Sequence, residues 1–139
     1  MAGYIPDIAQ LIPQRAPFIM VDELLYADDT TARCRFRVGA DNLMVDRGRF
    51  TPGGLLENIA QTVAAGAGYA AFLEGRPVTP GHIVAVSRFT VVALPLVGDE
   101  LLTEVTIRTR IPDIIVISGQ VILGAVEIAT CEMKILTSV

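Results

Sequence analysis

Glu57 and Gln61 are the residues whose placement asks for a chemical explanation. They stand four apart in Leu55 to Leu73, a stretch that is otherwise almost wholly apolar and reads as one long helix. Residues four apart share a helix face. A helix that is apolar nearly all round belongs in a core. A carboxyl there is costly unless it is protonated, paired or hydrogen-bonded. Such an environment disfavours the charged form, which suits a general acid. The bland reading of Glu57 is a partly solvated carboxylate favoured by the dipole of the first helical turn. For Gln61 the two readings are a wall of the site and a structural hydrogen-bonder.

Thr51-Pro52-Gly53-Gly54 precedes the predicted helix. Amides at a helix start can hold a carbonyl oxygen, and glycines there let a ligand approach the backbone, so Gly53 and Gly54 are candidate substrate contacts. A tight turn would use the same residues. Arg47 and Arg49 flank Gly48 in the loop before the helix. They suit an acidic carrier protein or a phosphate-bearing thioester arm, or else form a solvated pair. His82, the one histidine, follows Pro80-Gly81 at the start of a predicted strand. With no G-x-S-x-G segment, a Ser-His-Asp triad is unsupported, and so is a zinc site. No phosphate-binding loop or dinucleotide fingerprint is present, so no metal or cofactor is expected. Cys34 and Cys131, far apart in strand-like runs, read as small buried hydrophobes.

The elements that must position these residues follow from pattern. Thr31 to Val38 alternates, with Ala32, Cys34, Phe36 and Val38 on one face and Thr31, Arg33, Arg35 and Arg37 on the other. Phe18 to Tyr26, Ile83 to Val91, Leu101 to Arg110, Ile114 to Ile122 and Ala125 to Leu136 also read as strands, and Pro6 to Leu11 as a short helical turn. Residues 39–53 read as a loop. The small residues Ala60, Ala64, Ala65, Gly66, Ala67, Gly68, Ala70 and Ala71 predict close approach of other chain to the helix. The pattern is strand, strand, buried helix, four strands. It predicts an α+β fold: one long central helix wrapped by a curled antiparallel sheet of about six strands, the hot-dog arrangement, over residues 1–139 as a single domain.

Composition agrees. Of 139 residues, 52% are hydrophobic and 19% charged, enough for a core and unlike a disordered chain. A formal charge of −4 argues against nucleic acid as a partner. Val63 to Leu73, the longest apolar stretch, falls short of the ~20 residues of a membrane span. The opening MAGYIPDIAQ lacks the basic and apolar regions of a signal peptide, so a cytoplasmic protein is the expectation.

Three segments carry a family resemblance. Ile12 to Asp22, IPQRAPFIMVD, resembles the Pro-His-Arg-x-Pro-Phe-x-x-Val-Asp opening of the 3-hydroxyacyl-(acyl-carrier-protein) dehydratases, with Gln14 in place of a non-catalytic histidine. Leu56 to Gln61 resembles the family's Leu-Glu-x-x-Ala-Gln, whose glutamate is catalytic. Arg88-Phe89 and Pro95-Leu96-Val97-Gly98-Asp99 are similar to its later strand and turn. The resemblance implies a hot-dog fold and a dimer, or higher oligomer, whose sheets join edge to edge with the active sites between subunits. It also implies a substrate carried as a thioester on acyl carrier protein or CoA, in fatty-acid or polyene-type metabolism. A family histidine would remove the α-proton, and Glu57 would protonate the departing hydroxyl. That histidine lies in a Gly-His-Phe-Pro segment; the corresponding stretch here, around Asp41-Asn42-Leu43-Met44, has none.

Three functions follow. One is a hydro-lyase with Glu57 as acid and an atypical base, His82 first and Asp46 second. Another is a non-catalytic subunit that pairs with a histidine-bearing homologue. The third is a hot-dog acyl thioesterase, since Gly53-Gly54 resembles the opening of some such enzymes; those place their carboxylate further along the helix, where this chain has Gln61.

Overall fold

The structure, a computed structural model, describes residues 3–137. A 3-10 turn at Ile8–Gln10 leads to strands β1 (Glu23–Ala27) and β2 (Thr31–Arg37). A two-residue hairpin follows, β3 (Val45–Asp46) and β4 (Arg49–Phe50), then helix α1 (Pro52–Leu73). Four long strands complete the chain: β5 (His82–Val91), β6 (Glu100–Ile111), β7 (Ile114–Leu123) and β8 (Val126–Leu136). The main sheet is antiparallel, in the order β1-β2-β6-β7-β8-β5. The helix packs mainly on β1, β2, β6 and β7, so the sheet curls around it. This is the predicted hot-dog arrangement.

The alternation of β2 holds as read. Ala32, Cys34, Phe36 and Val38 are buried, and Arg33 and Arg35 pair on the outer face with Glu104, Glu23 and Glu100. Close packing fixes two helix glycines. A Cβ on Gly68 would stand 1.8 Å from the Leu11 carbonyl oxygen, where the N-terminal segment crosses the helix. A Cβ on Gly54 would stand 2.6 Å from the Phe50 ring.

Three boundaries differ from the sequence reading. Residues 18–22 are not strand: the backbone of Met20 bonds helix side chains instead of a neighbouring strand. The loop 39–53 contains the β3–β4 hairpin, turned by Arg47 (φ 54) and Gly48 (φ 78). Two successive positive φ values match the twist of a two-residue hairpin. The helix begins three residues early, with Thr51 as its cap and Pro52 at the first position. No helix among the described residues is long and apolar enough to cross a membrane.

Candidate functional site

Glu57 is half-buried near the start of α1. Its Oε2 accepts a hydrogen bond from Gln61 Nε2 at 3.0 Å, and its Oε1 has no protein partner among the described residues. Gln61 is fully buried. Its Oε1 accepts from the Met20 amide at 2.7 Å, and its Nε2 also donates to the Phe18 carbonyl at 2.8 Å. Both of its N–H donors are used, its oxygen holds the Met20 amide, and the side chain is fully buried, so Gln61 ties Glu57 to the 18–20 segment and does not face a ligand directly.

Asn58, one residue on, is equally buried. Its Nδ2 donates to the Met20 carbonyl at 2.8 Å, and its Oδ1 accepts from the Thr103 hydroxyl. Side chains from one helical turn thus satisfy both backbone groups of Met20, as a buried backbone requires. Asn58 and Thr103 were absent from the sequence reading. An asparagine in so apolar a helix was the available signal.

At the helix start the two glycines divide. Gly54 is buried, and its amide donates to Thr51 Oγ1 at 3.2 Å; packing against Phe50 explains it. Gly53 is exposed and its amide has no protein acceptor among the described residues, so it is the donor open to a ligand. Arg47 and Arg49 are exposed on the hairpin that feeds the helix, with no ion pair among the described residues. Asp46 lies opposite Arg49 on the same hairpin, also exposed.

His82 is not brought to this cluster. Asn58 reaches Thr103, which is in register with Val121, Ala129 and Val91 across the sheet. His82 is in register with Leu136 and Ile114. Those rows are separated by seven residues of β7, roughly 23 Å at the usual strand rise. The face is also wrong. Ile83 pairs with Ile135, which is buried on the helix side, so His82 and Leu136 point outward. Within one chain His82 therefore cannot serve as the base for Glu57.

Both cysteines are buried and inert. Burial pushes the Cys34 thiol up to about 12 and the Cys131 thiol up to about 11. A cavity of ≈ 810 Å³ lies between the C-terminal half of α1 and the inner sheet face. Val63, Gly66, Ala67, Val105, Ile107 and Ile117 contribute to its walls, and Asp28 to its mouth. Glu57 does not line it. The half-buried or exposed small side chains of Ala60, Ala64 and Ala67 run from Glu57 toward it.

An apolar helix carrying one held carboxyl, inside a curled sheet, can be compared with known proteins. The sequence matches the profile of the ApeP-like family, described as ApeP dehydratase, over residues 6–138. The chain belongs to the ApeP-like dehydratase family. No curated protein sequence matches it. Among solved structures, the dehydratase heterocomplex ApeI:P from Xenorhabdus doucetiae aligns with TM-score 0.88 and 12% identity, over 96% of this chain and 92% of that one. The E. coli PaaI protein from the phenylacetic acid degradation operon aligns with TM-score 0.65 and 16% identity, over 82% and 81%. Zebrafish thioesterase superfamily member 2 gives TM-score 0.67 and 14% identity, over 84% and 80%. At these identities the likeness is one of fold.

Proposed function

We propose that this chain is a subunit of a 3-hydroxyacyl-thioester dehydratase in fatty-acid or polyene-type metabolism, in which Glu57 is the acid and the base comes from a different, histidine-bearing chain. The observation that carries this is the contrast between Glu57 and His82. Glu57 is held by Gln61, with Oε1 unpartnered among the described residues, on a partly uncovered helix flank. His82 lies on the opposite sheet face at the other end. A second copy joined through β5, about an axis normal to the sheet, would carry its own His82 on that same outer face. A homodimer therefore lacks the imidazole too. The family's dehydratase heterocomplex supports pairing with an unlike chain, and β5 offers an edge with Ile83, Val84 and Val86 exposed.

In this reading the partner's base removes the α-proton of the thioester. The C3–O bond breaks, Glu57 protonates the departing hydroxyl, and water leaves a C2–C3 double bond. The Gly53 amide donates to the thioester carbonyl oxygen as charge builds there. Arg47 and Arg49 meet the phosphate of the thioester arm or the acidic surface of acyl carrier protein. The acyl tail lies along Ala60 and Ala64 toward the cavity that begins at Val63 and Ala67.

The test is hydration of a crotonyl thioester by the chain alone, by a histidine-bearing homologue alone, and by the two together. Turnover is expected in the mixture, and Glu57→Gln should lower it at least about a hundredfold. Unchanged turnover in that variant would remove Glu57 from the mechanism. Full turnover by the chain alone would remove the unlike partner. Release of free thiol from acyl-CoA would favour the thioesterase reading, which structural likeness to the thioesterase fold keeps in play.

A further inference from the structure

We infer that Thr103, Asn58 and Gln61 form a buried relay that fixes which oxygen of Glu57 carries the proton. The inference rests on the proposed role of Glu57 and adds three positioning residues to it.

The relay starts in the middle of the sheet. Thr103 lies on β6, flanked in register by Cys34 of β2 and Val121 of β7, so its backbone is held on both sides. Its hydroxyl donates to Asn58 Oδ1. The Met20 carbonyl sets the orientation of the Asn58 amide, because the opposite rotamer would put Oδ1 against a group that can only accept, and the Thr103 hydroxyl then anchors the Oδ1 end. Nδ2 then holds that carbonyl. The amide of the same residue donates to Gln61 Oε1, so Met20 is held at both of its backbone groups.

Gln61 has no second orientation either. Reversing its amide would face Nε2 with the Met20 N–H, and Oε1 with both the Phe18 carbonyl and the Glu57 carboxyl. A backbone N–H can only donate and a carbonyl can only accept, so the reversed form loses three hydrogen bonds and gains only repulsions. Gln61 must therefore donate to Glu57 Oε2. An oxygen that accepts this bond is the poorer place for a proton, so the acid form carries it on Oε1. Oε1 is the oxygen without a protein partner among the described residues, so it is the one left to meet a substrate. The three amide and hydroxyl groups are 0% exposed, so water does not substitute for a missing member.

Four variants in the reconstituted pair test this. Thr103→Val keeps shape and removes the first donor. Gln61→Glu keeps an acceptor for Met20 and removes both donors. Thr62→Val serves as a comparator: its buried hydroxyl donates to the Asn58 carbonyl at 2.8 Å, a bond within the helix and outside the relay. Glu57→Gln reports on the proposed function itself. Thr103→Val should lower kcat about tenfold with KM within about twofold, since loosening a reacting group acts on the transition state. Thr62→Val, at a comparable loss of Tm, should leave kcat unchanged. Gln61→Glu should displace the pH–rate profile, because two carboxyls then contest one proton. If Thr103→Val and Thr62→Val fall on one line of kcat against Tm, with the Gln61→Glu profile unmoved, the relay is overturned and the role of Glu57 stands. If Glu57→Gln turns over like the wild type, both fall. An assay-free readout completes the test. The Gln61 side-chain amide resonances should shift with pH in the wild-type protein and stay fixed in Glu57→Gln. Resonances that do not move in the wild type would also overturn the relay.

Discussion

The two ends of α1 are built for opposite purposes. In its first three turns every buried polar group is spent: Asn58, Gln61 and Thr62 are fully buried and hydrogen-bonded to Met20, Phe18, Thr103 or the helix itself. In its last three turns, Gly66, Ala67 and Ala70 stand beside an open cavity of ≈ 810 Å³. One end holds a carboxyl still, and the other leaves room. A helix of uniform composition would do neither, because close packing and open space need different side chains within the same 22 residues.

Stability should expose this difference most sharply. Asn58→Leu keeps the branched shape but strands the Met20 carbonyl and the Thr103 hydroxyl in the core. Each orphaned group costs ~1–3 kcal/mol, so a loss of about 2–6 kcal/mol is expected in urea unfolding. Ala70→Leu adds a larger side chain at an exposed position facing the cavity, and should change stability by less than about 0.5 kcal/mol. Equal losses in the two variants would show that the ends are not packed differently.

Substrate range should sharpen the comparison next. If the acyl tail occupies the cavity, Ala67→Leu and Ala70→Leu shorten the space available to it. Their kcat/KM for the longest acyl thioesters should fall about tenfold, with the crotonyl substrate unaffected. A uniform loss at all chain lengths would place the tail elsewhere.

How much of this was legible in the sequence follows the same division. Alternation in Thr31 to Val38 reports one buried face directly, and an apolar helix reports its own burial, so the sheet and helix could be read. Phe18 to Asp22 could not. Its apolar residues look like a strand, yet both backbone groups of Met20 and the Phe18 carbonyl pair with side chains of Asn58 and Gln61, some forty positions away. Local pattern carries no trace of such bonds. Arg47 escaped for a related reason: positive φ at a non-glycine residue is uncommon, so Arg-Gly did not read as a hairpin turn. Glu57 and Gln61 stood out because they are polar where the pattern is apolar. Asn58 offered the same signal. Thr103 offered none, since threonine is ordinary in a strand. Which face His82 takes depends on the register of β5 with β8, and that is set only by the folded sheet.

The smallest expected effect lies at the mouth of the cavity, and it is a pH effect. The Tyr26 hydroxyl and the Thr30 and Thr31 amides donate to Asp28, with the Tyr26 bond the largest influence, and hold its carboxyl down to about 2 from an ordinary 3.8. A folded value below the unfolded one means that these bonds stabilise the β1–β2 turn fully above pH 3.8. That contribution is lost as pH falls through about 2. Asp28 is exposed, so only the local turn should respond. Amide exchange at Thr30 and Thr31 should quicken between pH 4 and pH 2, beyond the intrinsic pH trend, and Asp28→Asn should remove that change. The Met20 amide, held by the neutral side chain of Gln61, should keep its protection over the same range. If Met20 loosens in step with Thr30, the two ends of the helix are one cooperative unit, and the division between a rigid end and a roomy one is a matter of shape and not of stability.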